Sequence, residues 1–360
     1  MTTLALISVG ALTGALLELT ARTGSFDRIV VASRALAKGE AKANNARLGA
    51  AMQGYYPEIA AVEFDMYADE APEQLANMRA DVICAAPSML PWWRVKERSA
   101  AAGALHDAPF ATYIACHLAP MQALRDAYVA SGSAAALVAA SAPDVVNAVL
   151  ARTGVAPVCG IGNVAEVIPK LRMAMASVHE VIPTEVQVRL VAQHAFEYFC
   201  LHANPPEHTP PYLLDVNCLG ADVTAFAQQH LFTPYPIPYE LDFNLVTASS
   251  GLEVLSALAG DIPVATHVPA PNGLLGGYPV TVSRAGVELD LAPRWSLAEA
   301  VRVNTNSLPF DGIEGLDDDG TIWFTSATVE ALTTITGARH EKLSPSHAPA
   351  LAEAICKAFG

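Results

Sequence analysis

Apolar positions fall into short continuous runs separated by longer mixed stretches, the pattern of strands buried on both faces alternating with helices. Residues 4–7 and 29–32 are two such runs, with a helical stretch at 11–23 and a turn at 24–27 between them. Strand, crossover helix and second strand make one parallel βαβ unit. Further buried-strand runs at 81–85 and 136–140, with helical segments between them including 121–130, carry the alternation through residues 1–145. That alternation predicts an α/β fold with a doubly wound parallel sheet.

The pattern changes after Asp144. Residues 145–152 read as a helix, 159–163 as a glycine-rich turn, 165–176 as a helix and 185–191 as a β-rich run, followed by a proline-rich loop at 204–211. Residues 278–291 alternate as a β-hairpin turning at 284–286, and 297–303 reads as helical. Past Pro309 come Asp-rich turns at 317–320, a strand at 321–325 and a last helix at 349–359. The expectation is a dinucleotide-type Rossmann domain at 1–145 and an α+β substrate and dimerisation domain at 146–360, extended from about residue 309.

Composition narrows the function. Of 360 residues, 52% are hydrophobic and 16% charged, which suits extensive burial and argues against disorder. A net charge of −15 with no Lys/Arg cluster would repel a phosphate backbone, so nucleic acid is not expected as a partner. Cys84, Cys116, Cys159, Cys200, Cys218 and Cys356 stand singly without a CxxC pair and read as reduced thiols of a cytoplasmic protein. The apolar start at 4–19 is preceded by no Lys or Arg and contains Gly10 and Gly14, so it is assigned to the fold and not to a signal peptide. No other apolar run is long enough to span a bilayer, and no membrane partner is expected. The acidic turn at 317–320 lacks the spacing of a calcium loop, and no metal site is assigned.

Candidate chemistry begins at Ser8-Val9-Gly10-Ala11-Leu12-Thr13-Gly14, between the first strand and its helix. A dinucleotide turn needs glycine where the backbone meets the pyrophosphate and a helix N-terminus whose free N–H groups face that charge. Read as GxGxxG, only Gly10 survives, with Ser8 and Thr13 at the outer positions. Ser33 ends the next strand, where an acidic residue would bind the ribose of NAD; Ser33 followed by Arg34 instead leaves room for a 2′-phosphate and supplies a guanidinium. NADP is therefore expected over NAD, bound by Gly10, Ala11, Leu12, Thr13, Ser33 and Arg34, with Ala86 and Pro87 on the loop after the 81–85 strand. Its alternative is an ordinary glycine-containing turn with a surface arginine.

Four later segments bring a family into view. Lys38-Gly39-Glu40-Ala41, Ser141-Ala142-Pro143-Asp144-Val145-Val146, Cys159-Gly160-Ile161-Gly162-Asn163 and Val191-Ala192-Gln193-His194-Ala195, in this order, resemble the lactate/malate dehydrogenase superfamily over most of the chain to about residue 305. The resemblance implies a homodimeric NAD(P)-dependent dehydrogenase or reductase of a small molecule, with His194 as proton carrier. Reducing a carbonyl with hydride leaves an alkoxide that must be protonated, and histidine titrates near the working pH. Glu166, 28 residues before His194, stands near the place of the family's orienting carboxylate.

Departures change the expected substrate. The family's mobile loop carries substrate arginines; here it reads Pro87-Ser88-Met89-Leu90-Pro91-Trp92-Trp93-Arg94, with Arg98 one helical turn on. Trp93 and Arg94 are assigned to the substrate, which makes plain malate doubtful. Where the family grips the substrate carboxylate with arginine the chain has Pro169, leaving Arg172 or Lys170 as replacements, and Ser141 stands for a substrate-facing asparagine. Thr247, Ser249 and Ser250 start a helical stretch where the resemblance implies small polar residues on the substrate side, and they read equally as a helix cap, the reading preferred here. The activity expected is hydride transfer to or from a carbonyl, hydroxyl or imine carbon of a 2-oxo- or 2-hydroxy-acid-like substrate. Two alternatives stand beside it: a family 4 glycosidase-like hydrolase using NAD and a metal held by Cys159 and His194, and a dinucleotide sensor without catalysis.

Overall fold

The computed structural model describes residues 1–91, 94, 108–201, 208–238 and 241–359. The first part of the chain runs β1 (Thr3–Ile7), α1 (Ala11–Thr20), β2 (Arg28–Ser33), α2 (Leu36–Ala51), β3 (Glu58–Glu63), α3 (Ala71–Met78), β4 (Val82–Ala85), α4 (Ala115–Ser131), β5 (Ala136–Ala139), α5 (Pro143–Arg152) and β6 (Cys159–Gly160). The strands form one sheet in the order β3-β2-β1-β4-β5-β6, parallel at every pairing. Along β1 and β2, Leu4, Leu6, Ile29 and Val31 enter one buried layer, and Ala5, Ile7, Val30 and Ala32 enter the other. Burial on both faces explains why these strands are unbroken apolar runs. Strand order reverses between β1 and β4, which opens a crevice beyond their carboxyl ends, the place where open α/β sheets take ligands.

The second part runs α6 (Val164–His179), β7 (Val186–Val191), α7 (His194–Leu201), β8 (Leu213–Cys218), β9 (Ala221–Asp222), α8 (Thr224–Leu231), α9 (Asn244–Ala259), β10 (Val264–Pro269), β11 (Gly277–Ser283), β12 (Gly286–Leu289), α10 (Leu297–Ser307), β13 (Ile313–Leu316), β14 (Ile322–Phe324), α11 (Ser326–Thr336), β15 (Lys342–Leu343) and α12 (Ala348–Phe359). Its strands form three antiparallel sheets, β7-β8-β9, β10-β11-β12 and β13-β14-β15. The 3₁₀ turn Leu308–Asp311 opens the C-terminal segment. Ile313, Ile322, Leu351 and Ile355 of that segment share a core with Ile7, Ile83 and Leu118 of the first part, so the tail packs back on the parallel sheet.

The first two antiparallel sheets meet through one bridge. Gly277 N–H donates to Ala192 O at 2.8 Å and Ala192 N–H to Gly277 O at 3.3 Å. A Cβ on Gly277 would lie 2.5 Å from Val164 Cγ1 and 2.7 Å from Ala192 O, so only glycine permits this approach. The bridge fixes the chain two residues before His194.

Three sequence expectations change. The helix at 121–130 is the later part of α4, which starts at Ala115 and runs through Pro120. Thr247, Ser249 and Ser250 lie inside α9, which begins at Asn244, and do not cap it; Ser250 Oγ instead accepts from Gly162 N–H at 2.9 Å. Strand β3, unforeseen, is a sheet edge bounded by Glu58 and Glu63 in which only Ile59 is buried. Among the described residues no helix is long and apolar enough to cross a membrane.

Candidate active site

His194 is the first residue of α7 and is fixed from three sides. Its Nδ1 lies 3.0 and 3.1 Å from the two carboxylate oxygens of Asp311. Its backbone N–H donates to Asp144 Oδ2 at 2.5 Å, and Asn163 Nδ2 donates to Asp144 Oδ1 at 3.1 Å. Phe110 packs on the imidazole with ring centroids 4.5 Å apart. Asp144 follows β5 and Asn163 follows β6, so the carboxyl edge of the parallel sheet holds the histidine's backbone. Asp311 comes from the C-terminal segment, and its side chain, 5% exposed, also accepts from Gln193 Nε2.

Electrostatics make this histidine a cation. Burial lowers its pKa, but the Asp311 carboxylate, its hydrogen bond, and the charges of Glu197 and Asp144 outweigh burial and carry it up to about 10. His117, stacked on the same Phe110 at 6.2 Å, has no such carboxylate. Burial, with repulsion from His194, takes it down to about 4. With Nδ1 engaged by Asp311, Nε2 is the ring nitrogen left for a reactant, on a side chain 27% exposed.

Glu166 is in the site but in a different role from the one expected. The partner of His194 Nδ1 is Asp311; Glu166 instead accepts from Thr247 Oγ1 and shares a hydrogen bond with Glu197. Two carboxyl groups can hydrogen-bond to each other only if one carries a proton. Burial drives both upward, Glu166 to about 7 and Glu197 well above its usual range. Burial likewise lifts Asp144 to about 6. Four carboxyl groups thus lie around one imidazolium, and burial pushes three of them, Asp144, Glu166 and Glu197, toward the protonated form.

At the other end of the crevice the turn after β1 takes a form glycine-rich turns use, with other residues. Ser8 adopts φ 66°, the left-handed conformation that would favour glycine. Thr13, fully buried, donates to Ser8 O at 2.8 Å and accepts from Gly10 N–H at 3.0 Å, tying the turn to the helix. The first intrahelical bond of α1 is Gly14 N–H to Gly10 O, so the amides of Ala11, Leu12 and Thr13 precede it and face the turn. A Cβ on Gly10 would meet nothing within 4 Å, so its absence leaves an open approach to the backbone, as a pyrophosphate requires. Ser33 Oγ accepts from Ala35 N–H at 3.3 Å. Arg34 is exposed and makes no hydrogen bond or ion pair with a described residue. Ala86 N–H donates to Ile7 O at 3.2 Å, which places Ala86 and Pro87 between the ends of β1 and β4.

Other expected residues fall elsewhere. Ser141, 3% exposed, donates to Pro87 O at 2.6 Å, so its hydroxyl pins the loop after β4. Arg172 lines a cleft of about 160 Å³ with Arg189 and His267, and no hydrogen bond or ion pair joins it to His194. Lys170 donates to Cys200 O at 2.6 Å and Leu231 O at 2.9 Å, a buried strut for α7 and α8. Arg94 is exposed; Trp93, Trp92 and Arg98 lie outside the described residues. Cys159, fully buried in the layer that holds Cys84, has a thiol that burial raises far above its usual pKa, a poor metal ligand. Asp311 is the residue sequence reasoning missed; Phe310-Asp311-Gly312 carries no motif that marks it.

The six-stranded parallel sheet and the antiparallel sheets that follow it match the fold of lactate and malate dehydrogenases. Among similar structures, a lactate dehydrogenase from a Medee basin deep-sea metagenome library shares 13% identity at a TM-score of 0.57, over 86% of this chain and 96% of that one. Malate dehydrogenase from Plasmodium falciparum matches at 12% and 0.58, over 86% and 96%. Lactate dehydrogenase from Eimeria maxima, in complex with NADH and oxamate, matches at 14% and 0.56, over 86% and 91%. Neither a protein-family model nor a curated protein sequence matches the chain.

Proposed function

We propose that the chain is an NADP-dependent oxidoreductase in which residues 1–145 bind the cofactor, residues 146–360 bind a small substrate, and His194 carries the proton. The observation that supports this most is the imidazolium of His194, held by Asp311 at the carboxyl edge of a Rossmann sheet. Bound beyond β1 and β4, the nicotinamide would supply or accept the hydride. Gly10 and the first amides of α1 would receive the pyrophosphate, and Ser33 and Arg34 the 2′-phosphate. In the reducing direction His194 Nε2–H donates its proton to the oxygen or nitrogen that gains charge as hydride arrives at carbon; in the oxidising direction neutral Nε2 takes that proton back. Asp311 keeps the hydrogen on Nδ1 and stabilises the cation, and Asp144 and Phe110 hold the ring in place.

The substrate is a carbonyl, hydroxyl or imine compound of the 2-oxo- or 2-hydroxy-acid type. Titration with NADPH and NADH, followed by nicotinamide fluorescence, tests the cofactor assignment. NADPH should bind more tightly, and Arg34→Ala should weaken it by about ten-fold, the scale of one charge-assisted phosphate contact. Equal weakening of NADH would remove the 2′-phosphate role.

A further inference from the structure

Between α1 and α2, beside the dinucleotide turn, lies a cleft of about 390 Å³ lined by Gly14, Glu18, Lys38, Lys42 and Asn45. Lys38 and Lys42 follow one another at a spacing of four in the first turns of α2, and Arg34 precedes the helix by two residues. This is the wrong place for cations. A helix N-terminus is the positive end of its dipole and favours carboxylates, yet α2 has no acidic residue in its first turn. Neither the Arg34 nor the Lys38 side chain makes a hydrogen bond or ion pair with a described residue.

Lys42 crosses the groove to place Nζ 3.0 Å from Gly10 O, at the turn itself. Gly14 makes room for it: a Cβ there would lie 2.5 Å from Nζ. Burial and the charge of Lys38 lower the pKa of Lys42 and outweigh the opposing pull of Glu18, so an anion in the cleft would relieve both costs. The one carboxylate lining the cleft, Glu18, is already engaged by Arg22 at 2.6 Å and Asn45 Nδ2 at 2.6 Å.

We infer that Lys38 and Lys42, together with Arg34, form a phosphate-monoester site, and that they set the preference for NADP by holding its 2′-phosphate. The inference rests on the cofactor reading above. Ser33 ends β2 and Arg34 follows it directly, two residues before α2; the ribose hydroxyls of a dinucleotide bind beyond the carboxyl end of this strand in such folds. Lysine supplies flexible point charges suited to a phosphate.

The test is binding of NADPH, NADH, adenosine 2′,5′-bisphosphate and AMP to the wild type, Lys38→Met, Lys42→Met, the double variant and Lys42→Arg. The double variant should lose about a hundred-fold in affinity for NADPH and the bisphosphate while NADH and AMP stay within about two-fold, reversing the preference. Lys42→Arg, which keeps the charge, should retain most NADPH affinity. Unchanged NADPH affinity in the double variant, with a loss in Arg34→Ala, would overturn the lysine site and leave the cofactor reading standing. Equal losses for NADPH and NADH would overturn it as structural damage, and a wild type that binds neither nucleotide would remove both readings.

Discussion

Replacing Asp311 with asparagine keeps the side chain's shape and an oxygen for Gln193 but removes the charge facing His194 Nδ1. With Asp311 the imidazole titrates at about 10. His117, buried beside the same Phe110 without a carboxylate, shows where burial together with a neighbouring positive charge leads, about 4. Glu197 and Asp144 still attract the His194 cation, so the variant should titrate between His117 and a free imidazole at about 6.5. The fall exceeds three units, about 4 kcal/mol at 1.36 kcal/mol per unit. At pH 7.5 the imidazolium drops from nearly all molecules to about one-tenth or fewer. The assay is an NMR titration of the His194 Cε1–H resonance, which needs no substrate. Reduction should slow by about ten-fold or more at pH 7.5, in step with the lost imidazolium. A variant whose His194 still titrates above 9 would refute the reasoning, because the charge would then be held by other groups.

Stability should fall as pH rises from 7 to 9. His194 has a folded pKa raised to about 10, so its contribution is complete below about 6.5 and disappears on the way to 10; Glu197, also raised, acts in the same sense. Thermal melts should show Tm falling across this window and falling less in His194→Gln, and a flat wild-type profile would contradict the assignment. In acid the sign reverses for His117 and His267, which burial lowers to about 4 and about 3. Their contribution is complete above about 6.5 and is lost as pH falls through those values. His267→Gln keeps an acceptor for Leu190 N–H and should flatten part of that acid decline.

The parallel sheet was legible because strands buried on both faces cannot hide: β1, β2, β4 and β5 are the apolar runs that open the chain. Strand β3 was not, since an edge strand bounded by Glu58 and Glu63 with three alanine or valine positions half buried has no such run. His194 could be picked out because its segment follows a strand and matches a known arrangement. Its carboxylate could not, because Asp311 lies 117 residues away in a segment beyond that resemblance, and only folding of the tail onto the parallel sheet brings the two together. Spacing pointed to Glu166, which does reach the site, but as a proton-sharing partner of Glu197. Arg172 illustrates the limit of spacing in a helix: near Pro169 in sequence, it emerges toward β7 and β10 in the cleft with His267.

The central claim is that His194 passes a proton while a nicotinamide passes hydride, and NADPH deuterated at C4 tests it directly. Supplied to a panel of 2-oxo acids, their amides and imines, the wild type should transfer deuterium to the carbon that becomes the alcohol or amine, and His194→Gln should bind NADPH with unchanged affinity but transfer at least about a hundred-fold more slowly. Transfer at the wild-type rate by His194→Gln would contradict the account.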